Sequence, residues 1–271
     1  MSAKRFRLWA LTGSLCFLLA GILFVSGKIT TSKTTVGPEI PRIVLWSWER
    51  PDDLSFLDSN QFGIAYLASE LHLQGDNLVV RPRFQPLKLP KDAHLIAVVR
   101  IESDRYFAPS LSPAQQAKVS AEITKIAHKN NIAAVQIDFD AKQSERDFYR
   151  ALINDLRRDW PNNVELTITA LASWCISDTW IRDLQIDDAV PMLFRMGVDD
   201  NQVRMRLRTG QDFTLNICRN SIGVSSDEPV EGLPPGLRIY IFNPHAWNPN
   251  SVQKAVNKLT DERYQSGIGT R

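Results

Sequence analysis

Histidine and cysteine are both scarce in this chain of 271 residues. The four histidines, His72, His94, His128 and His245, lack the paired spacing that a His-based metal site needs, so neither a metal nor another cofactor is expected. There is no Gly-x-Ser-x-Gly elbow and no phosphate-binding glycine loop, which argues against esterase and nucleotide chemistry. No acidic residue precedes Glu39, whereas Lys4, Arg5 and Arg7 do. Removing those three from the 32 Lys and Arg leaves 29 against 30 Asp and Glu over residues 28–271, so nucleic acid is not an expected partner. With 44% hydrophobic and 23% charged residues, the chain can bury one sizeable core and reads as one main globular domain.

Leu8 to Gly27 is a run of twenty residues without a formal charge, preceded by the basic cluster and followed by a polar stretch through Pro38. It is long enough to cross a bilayer as a helix. The same layout suits a secretory signal ending at Val25-Ser26-Gly27. An uncleaved anchor is favoured, because the run is long for a signal core and lacks the polar stripe of a buried helix. Cys16 lies inside the apolar run, so lipidation is not expected there. The organisation expected is therefore an anchor or signal at 1–27, a linker at 28–40 and a folded domain at 41–271. That domain would stand in the periplasm on a single-pass inner-membrane anchor, or be exported. In such an oxidising compartment Cys175 and Cys218 can form a disulfide; the alternative is two buried thiols on neighbouring strands.

Beyond the linker, short apolar runs alternate with amphipathic stretches, the pattern of βα units around a parallel sheet. Eight runs are expected as strands: 43–49, 62–70, 94–102, 133–140, 165–174, 188–196, 213–219 and 237–242. Helices are expected over 112–130, opened by Ser-Pro, over 144–160, stopped before Pro161, and over 250–263, with shorter ones near 178–184 and 199–207. The segment 76–90 breaks the alternation and reads as a small hairpin or an excursion over one barrel mouth. An α/β fold of the (β/α)₈ TIM-barrel type fits best, with trimmed units. A doubly wound open sheet is weaker, because no glycine-rich turn follows the first strand.

In such a barrel the functional residues stand at the carboxyl ends of the strands. Those positions hold Trp48 and Glu49, Glu102, Asp138 and Asp140, Trp174, Arg195, and Asn243, His245 and Trp247. Carboxylates, arginine and several tryptophans around one concavity suit a carbohydrate, whose apolar faces stack on rings while its hydroxyls need paired donors and acceptors. Asp138 and Asp140 are two apart on one strand and so share a face. Crowding of that kind raises the pKa of one carboxyl and makes it a proton donor. A structural role, ordering the strand-end loop, is the alternative reading of the pair.

Gln136-Ile137-Asp138-Phe139-Asp140-Ala141-Lys142 resembles the fourth-strand signature of the chitinase-like family 18 glycoside hydrolases, Asp-Gly-x-Asp-x-Asp-x-Glu. Asp138 and Asp140 match its second and third Asp. Val135 stands for the first Asp, Gln136 for the Gly, and Lys142 for the Glu that the family uses as general acid. The phrases Leu45 to Pro51, Val99 to Glu102, Val135 to Ala141 and Ala170 to Cys175 are together similar to a bacterial family of exported barrel proteins carrying a domain of unknown function. That resemblance implies a barrel and no particular reaction.

The expectation is a glycoside-hydrolase-like barrel acting on an envelope or extracellular polysaccharide. Asp138, Asp140 and Glu102 form its acidic centre, with Glu102 first and Glu49 second in line to replace the missing acid. Trp48, Trp174 and Trp247 are its stacking surfaces, and Glu49, Arg195, Asn243 and His245 are further substrate contacts. The alternatives are a catalytically silent barrel that binds glycan or an envelope protein, and a purely structural envelope component.

Overall fold

The computed structural model describes residues 39–229 and 231–260. The apolar run at 8–27, the linker up to residue 38 and the last residues of the expected closing helix lie outside that range. Among the described residues, no helix is long and apolar enough to cross a membrane.

Eight parallel strands close into a barrel: β1 (Ile43–Ser47), β2 (Phe62–Gln74), β3 (His94–Ser103), β4 (Ile132–Asp138), β5 (Glu165–Leu171), β6 (Asp188–Met192), β7 (Ser221–Ser225) and β8 (Arg238–Phe242). They neighbour one another in chain order, and β1 pairs with both β2 and β8, which closes the ring. The open-sheet alternative is thereby excluded.

The crossovers show where units are trimmed. α1 (Pro113–Ala127) and α2 (Arg146–Arg158) are full helices. Ser112 caps α1 by accepting the Gln115 N–H at 3.3 Å, with Pro113 in the first turn where its missing N–H costs nothing. α2 buries Phe148, Tyr149, Leu152, Ile153 and Leu156 along one face, at the spacing of a helix lying on a barrel. α3 is the five-residue Ala172–Ile176, α4 is Asp200–Arg208, and α5 (Pro249–Thr260) follows β8. A helix expected at 178–184 is a run of turns, the helical turn having formed earlier, at 172–176.

Between β2 and β3 there is a hairpin and no helix. β2 runs on beyond the barrel, and Asn77–Pro82 folds back antiparallel against it. Arg83 then donates to the carbonyls of Trp48 and Arg50, each at 2.6 Å, and so pins the hairpin to the loop after β1. Leu87–Lys88 pairs with Asp52–Asp53 below it.

The seventh strand is not where the apolar run 213–219 put it. That run ends in a 3₁₀ turn, Asn216–Cys218, and the strand is Ser221–Ser225. Phe213, Leu215 and Cys218 are buried in the outer layer, and the N–H groups of Thr214 and Leu215 both donate to the Cys175 carbonyl. The run is apolar because, after α4, it packs against the outside of the barrel. A disulfide joins Cys175 in α3 to Cys218 in this turn, with Cα atoms 5.9 Å apart. Neither cysteine lies on a strand.

The barrel interior is filled by Val44, Trp46, Ala65, Ile96, Val98, Ala134, Val190 and Tyr240. The Trp46 indole donates to Gln136 Oε1 at 2.9 Å. Gly223 makes room for it: a Cβ at that position would stand 2.8 Å from the ring. Gly223→Ala is therefore expected to destabilise the fold by about 1–3 kcal/mol through overpacking, readable as a lowered denaturation midpoint at unchanged m-value.

At the opposite end of the barrel Asp188 is buried and accepts from the Ser221 hydroxyl. Burial pushes its pKa from 3.8 up to about 7, against the Ser221 hydrogen bond and the charge of Arg238. A raised folded-state pKa means that the native state holds the proton more tightly than the unfolded chain. The stability so gained is complete below about pH 4 and is lost as pH rises through 7. Asp188→Asn should remove that loss, so that its stability relative to wild type improves by on the order of 2 kcal/mol between pH 5 and pH 8. Parallel denaturation curves at the two pH values check this.

Candidate functional site

Strand alternation brings Arg100, Asp138 and Thr169, from three neighbouring strands, to one face at the carboxyl end of the barrel. Arg100 and Asp138 are direct partners in the β3–β4 register. The Arg100 guanidinium reaches Asp138 Oδ2 at 3.1 Å and Glu102 Oε1 at 2.6 Å, and Thr169 donates to Asp138 Oδ1 at 2.7 Å. Both oxygens of the buried Asp138 are thus fixed. Glu102 is also approached by His72 Nδ1 at 3.5 Å, and His72 Nε2 lies 3.3 Å from Glu70. The overlong β2 supplies both of those residues, extending the charged network away from the centre.

Asp140 stands at the mouth, and its side chain accepts no hydrogen bond among the described residues. Although the residue is exposed, partial desolvation at the mouth and repulsion from the Asp138 carboxylate together raise its pKa despite the nearby Arg100. Arg100 itself is pulled down by burial, but the charges of Asp138, Glu102 and Asp140 more than offset that and hold its pKa above the ordinary value.

Two cavities meet at this centre, sharing Arg100, Asp138 and Asp140. One, of about 350 Å³, has an aromatic and aliphatic wall of Trp46, Trp48, Phe194, Phe242, Leu171, Met192 and Met196, with Arg195 at its edge. Phe194 and Phe242 stack with centroids 5.6 Å apart, and the Arg100 guanidinium lies 5.7 Å from the Trp48 ring. The other, of about 360 Å³, is polar and is lined by His72, Glu102, Ser103, Asp104, Arg105, Tyr106 and Lys142 among others. Each is at the lower end of the size that holds a small ligand.

The sequence-expected residues divide accordingly. Asp138, Asp140, Glu102, Trp48 and Arg195 line the cavities. Arg195 does so from a left-handed backbone (φ 52°), which turns its guanidinium over the Phe242 ring at 5.1 Å. Trp174 and Trp247 are not stacking surfaces, being 2% and 4% exposed. Trp174 packs edge-on against Trp180 behind the barrel, and the Trp247 indole donates to the Trp46 carbonyl at 2.8 Å, so both rings are core. Asn243 is buried in its own loop, taking the Ser226 hydroxyl and donating to the His245 carbonyl. The exposed His245 and Glu49 line neither cavity. Arg100, Thr169, Phe194 and Phe242 were missed. Counting by two along the expected strands from their last residues finds Arg100 from Glu102 and Phe194 from Met196, and Phe242 is itself a last residue; Thr169 escapes because its strand ends at Leu171 and not at Trp174.

A closed parallel barrel with an acidic centre at its carboxyl mouth is the class that this fold and site define. Within it, residues 92–198 match the model of DUF3142, a domain of unknown function. That stretch runs from just before β3 to just past β6 and contains Arg100, Glu102, Asp138, Asp140 and Thr169. The similarity to a domain of unknown function read from the sequence holds over these residues. Among solved structures, the chitinase domain of the spore coat protein CotE from Clostridium difficile is similar at 11% identity and a TM-score of 0.37, over 60% of this chain and 52% of that one. The chain therefore spans about half the length of that neighbour. No curated protein matches it.

Proposed function

We propose that this barrel binds a glycan across its carboxyl mouth and hydrolyses a glycosidic bond there. The observation that carries the reading is the juxtaposition of an aromatic wall with a carboxylate centre whose geometry is fixed by Arg100 and Thr169. Trp48, Phe194 and Phe242 offer rings to the apolar face of a sugar, while Arg195 and the carboxylates offer partners to its hydroxyls. Asp140, with its raised pKa, is suited to protonate the leaving oxygen. Asp138 supplies negative charge opposite the positive charge that develops on the sugar, and Glu102, beyond Arg100, is the candidate to activate water.

Lys142 favours a second reading. It occupies the place of the family 18 general acid, 70% exposed at its side chain and 3.9 Å from Glu145. A barrel that had lost the usual acid without recruiting Asp140 would bind glycan and leave it intact.

The experiment is a glycan array followed by product analysis with the full-length chain. Turnover of a bound glycan supports hydrolysis, binding without turnover supports the second reading, and absence of both across the array counts against each. The same proposal has the barrel in the periplasm on an inner-membrane anchor, or exported. The apolar run at 8–27 and the Cys175–Cys218 disulfide support this, since such bonds persist in oxidising compartments. Digestion of the barrel by external protease in spheroplasts is the expected result; protection until lysis would contradict it.

A further inference from the structure

The polar cavity runs out onto a loop that holds two aromatic rings in water. Tyr106 is 82% exposed and Phe107 68% exposed, although such rings gain more from burial than almost any other side chain. The loop is not loose. Asp104 Oδ1 accepts the N–H groups of Tyr106 at 2.7 Å and Phe107 at 2.8 Å, and Oδ2 accepts from Gln74 at 2.9 Å. These bonds from the two backbone N–H groups hold the Asp104 carboxyl below its ordinary pKa. The Phe107 carbonyl accepts from Gly75 at 3.2 Å, and Ser110 returns a bond to the Gly75 carbonyl at 2.8 Å. The buried side chain of Gln115, in the first turn of α1, donates to the Gly75 and Asn77 carbonyls at 3.0 and 2.8 Å. The loop is thus tied to both the hairpin turn and α1. Rings presented by an ordered backbone lose little freedom when a ligand settles on them.

We propose that Tyr106 and Phe107 form a stacking platform for sugar units of a polysaccharide that reaches the acid centre through the polar cavity. The preferred ligand is then a polymer gripped along its chain and not a short oligosaccharide. This inference rests on the glycan reading above. Continuity favours a glycan as the occupant: Tyr106 itself lines the polar cavity, whose His72, Glu102, Ser103 and Asp104 provide the donors and acceptors that sugar hydroxyls need. Two rings flanked by Asp104 and Arg105, whose guanidinium lies 5.9 Å from the Tyr106 ring, make too small an apolar patch for bilayer insertion or a protein hot spot.

The test compares the full-length wild type with Phe107→Ala, the platform ring that lines neither cavity. Affinity electrophoresis in gels containing glycol chitin, chitosan, xylan, alginate or dextran measures polymer binding, and calorimetry with disaccharides of the retained polymer measures binding at the centre. The side chain is exposed, so the variant keeps its fold, checked by its melting temperature. The expected result is about tenfold weaker polymer binding with disaccharide affinity unchanged. Equal retention of polymer by both proteins overturns the platform while leaving the glycan reading intact. So does a variant that keeps its polymer affinity and loses binding to phosphatidylglycerol vesicles, which would make the rings a membrane contact. A wild type retained by no polymer and binding no disaccharide overturns both readings together.

Discussion

Asp140→Asn is expected to lower glycan turnover by about 10²- to 10⁴-fold, the range for removing a positioned proton donor, while leaving the melting temperature where it was. The two halves of that expectation have separate origins. The side chain of Asp140 accepts no hydrogen bond among the described residues, so an isosteric amide removes little that holds the fold, and the stability change should stay within about 0.5 kcal/mol. What is lost is the transferable proton. Because crowding and desolvation raise this carboxyl, the wild type retains its acid form to higher pH than an ordinary aspartate. Turnover should accordingly fall as pH rises through a limb that lies above the usual carboxylate range, and the variant should lack that limb. Asp138→Asn makes the contrast. It keeps an acceptor for Thr169 but deprives Arg100 of one of its two charged partners, leaving only Glu102, so it should cost about 1–3 kcal/mol of stability as well as activity. Equal activity in Asp140→Asn and wild type on a cleaved glycan would remove Asp140 from the chemistry.

Opening the Cys175–Cys218 bond is the second large effect. The cysteines are 43 residues apart in sequence, and closing a loop of that length restricts the unfolded chain by about 4 kcal/mol in the chain-entropy account. A Cys175→Ala/Cys218→Ala variant should therefore unfold at markedly lower denaturant. The consequence reaches the site, because Ala172 and Ser173, in the same short helix as Cys175, line the aromatic cavity. The binding affinity of any ligand found for that cavity should fall in the variant even where the barrel remains folded. Matching denaturation curves for the variant and wild type would show that the bond contributes nothing.

Much of the barrel was legible because most strands of a closed parallel barrel are buried on both faces and read as unbroken apolar runs, as in Ile132–Asp138. The exception is instructive. Ser221–Ser225 is a true strand that alternates the small Ser221, Gly223 and Ser225 with Ile222 and Val224, Gly223 lying against the Trp46 ring, and so it carries only a weak strand signal. The nearby Phe213–Cys218 run has the apolar content but packs outside the barrel. Hydrophobicity marks burial, and burial here is on both sides of the wall. The acidic centre was legible for a related reason: a carboxylate at the end of an apolar strand has few structural uses. The tryptophans were not, because a strand-end ring looks the same in sequence whether it lines a cavity, as Trp48 does, or fills the core, as Trp247 does. Only the fold separates the two.

Trp46 has a double employment. Its nearly buried indole completes the packed interior, hydrogen-bonded to Gln136 and seated against Gly223, and the same residue lines the aromatic cavity. The depth of the cavity and the integrity of the barrel are therefore not independent quantities. The exposed Arg195 at the rim can change with little effect on the scaffold. A deeper or shallower floor requires changing the plug of the barrel itself, and evolution along that axis must be matched by compensation elsewhere in the core.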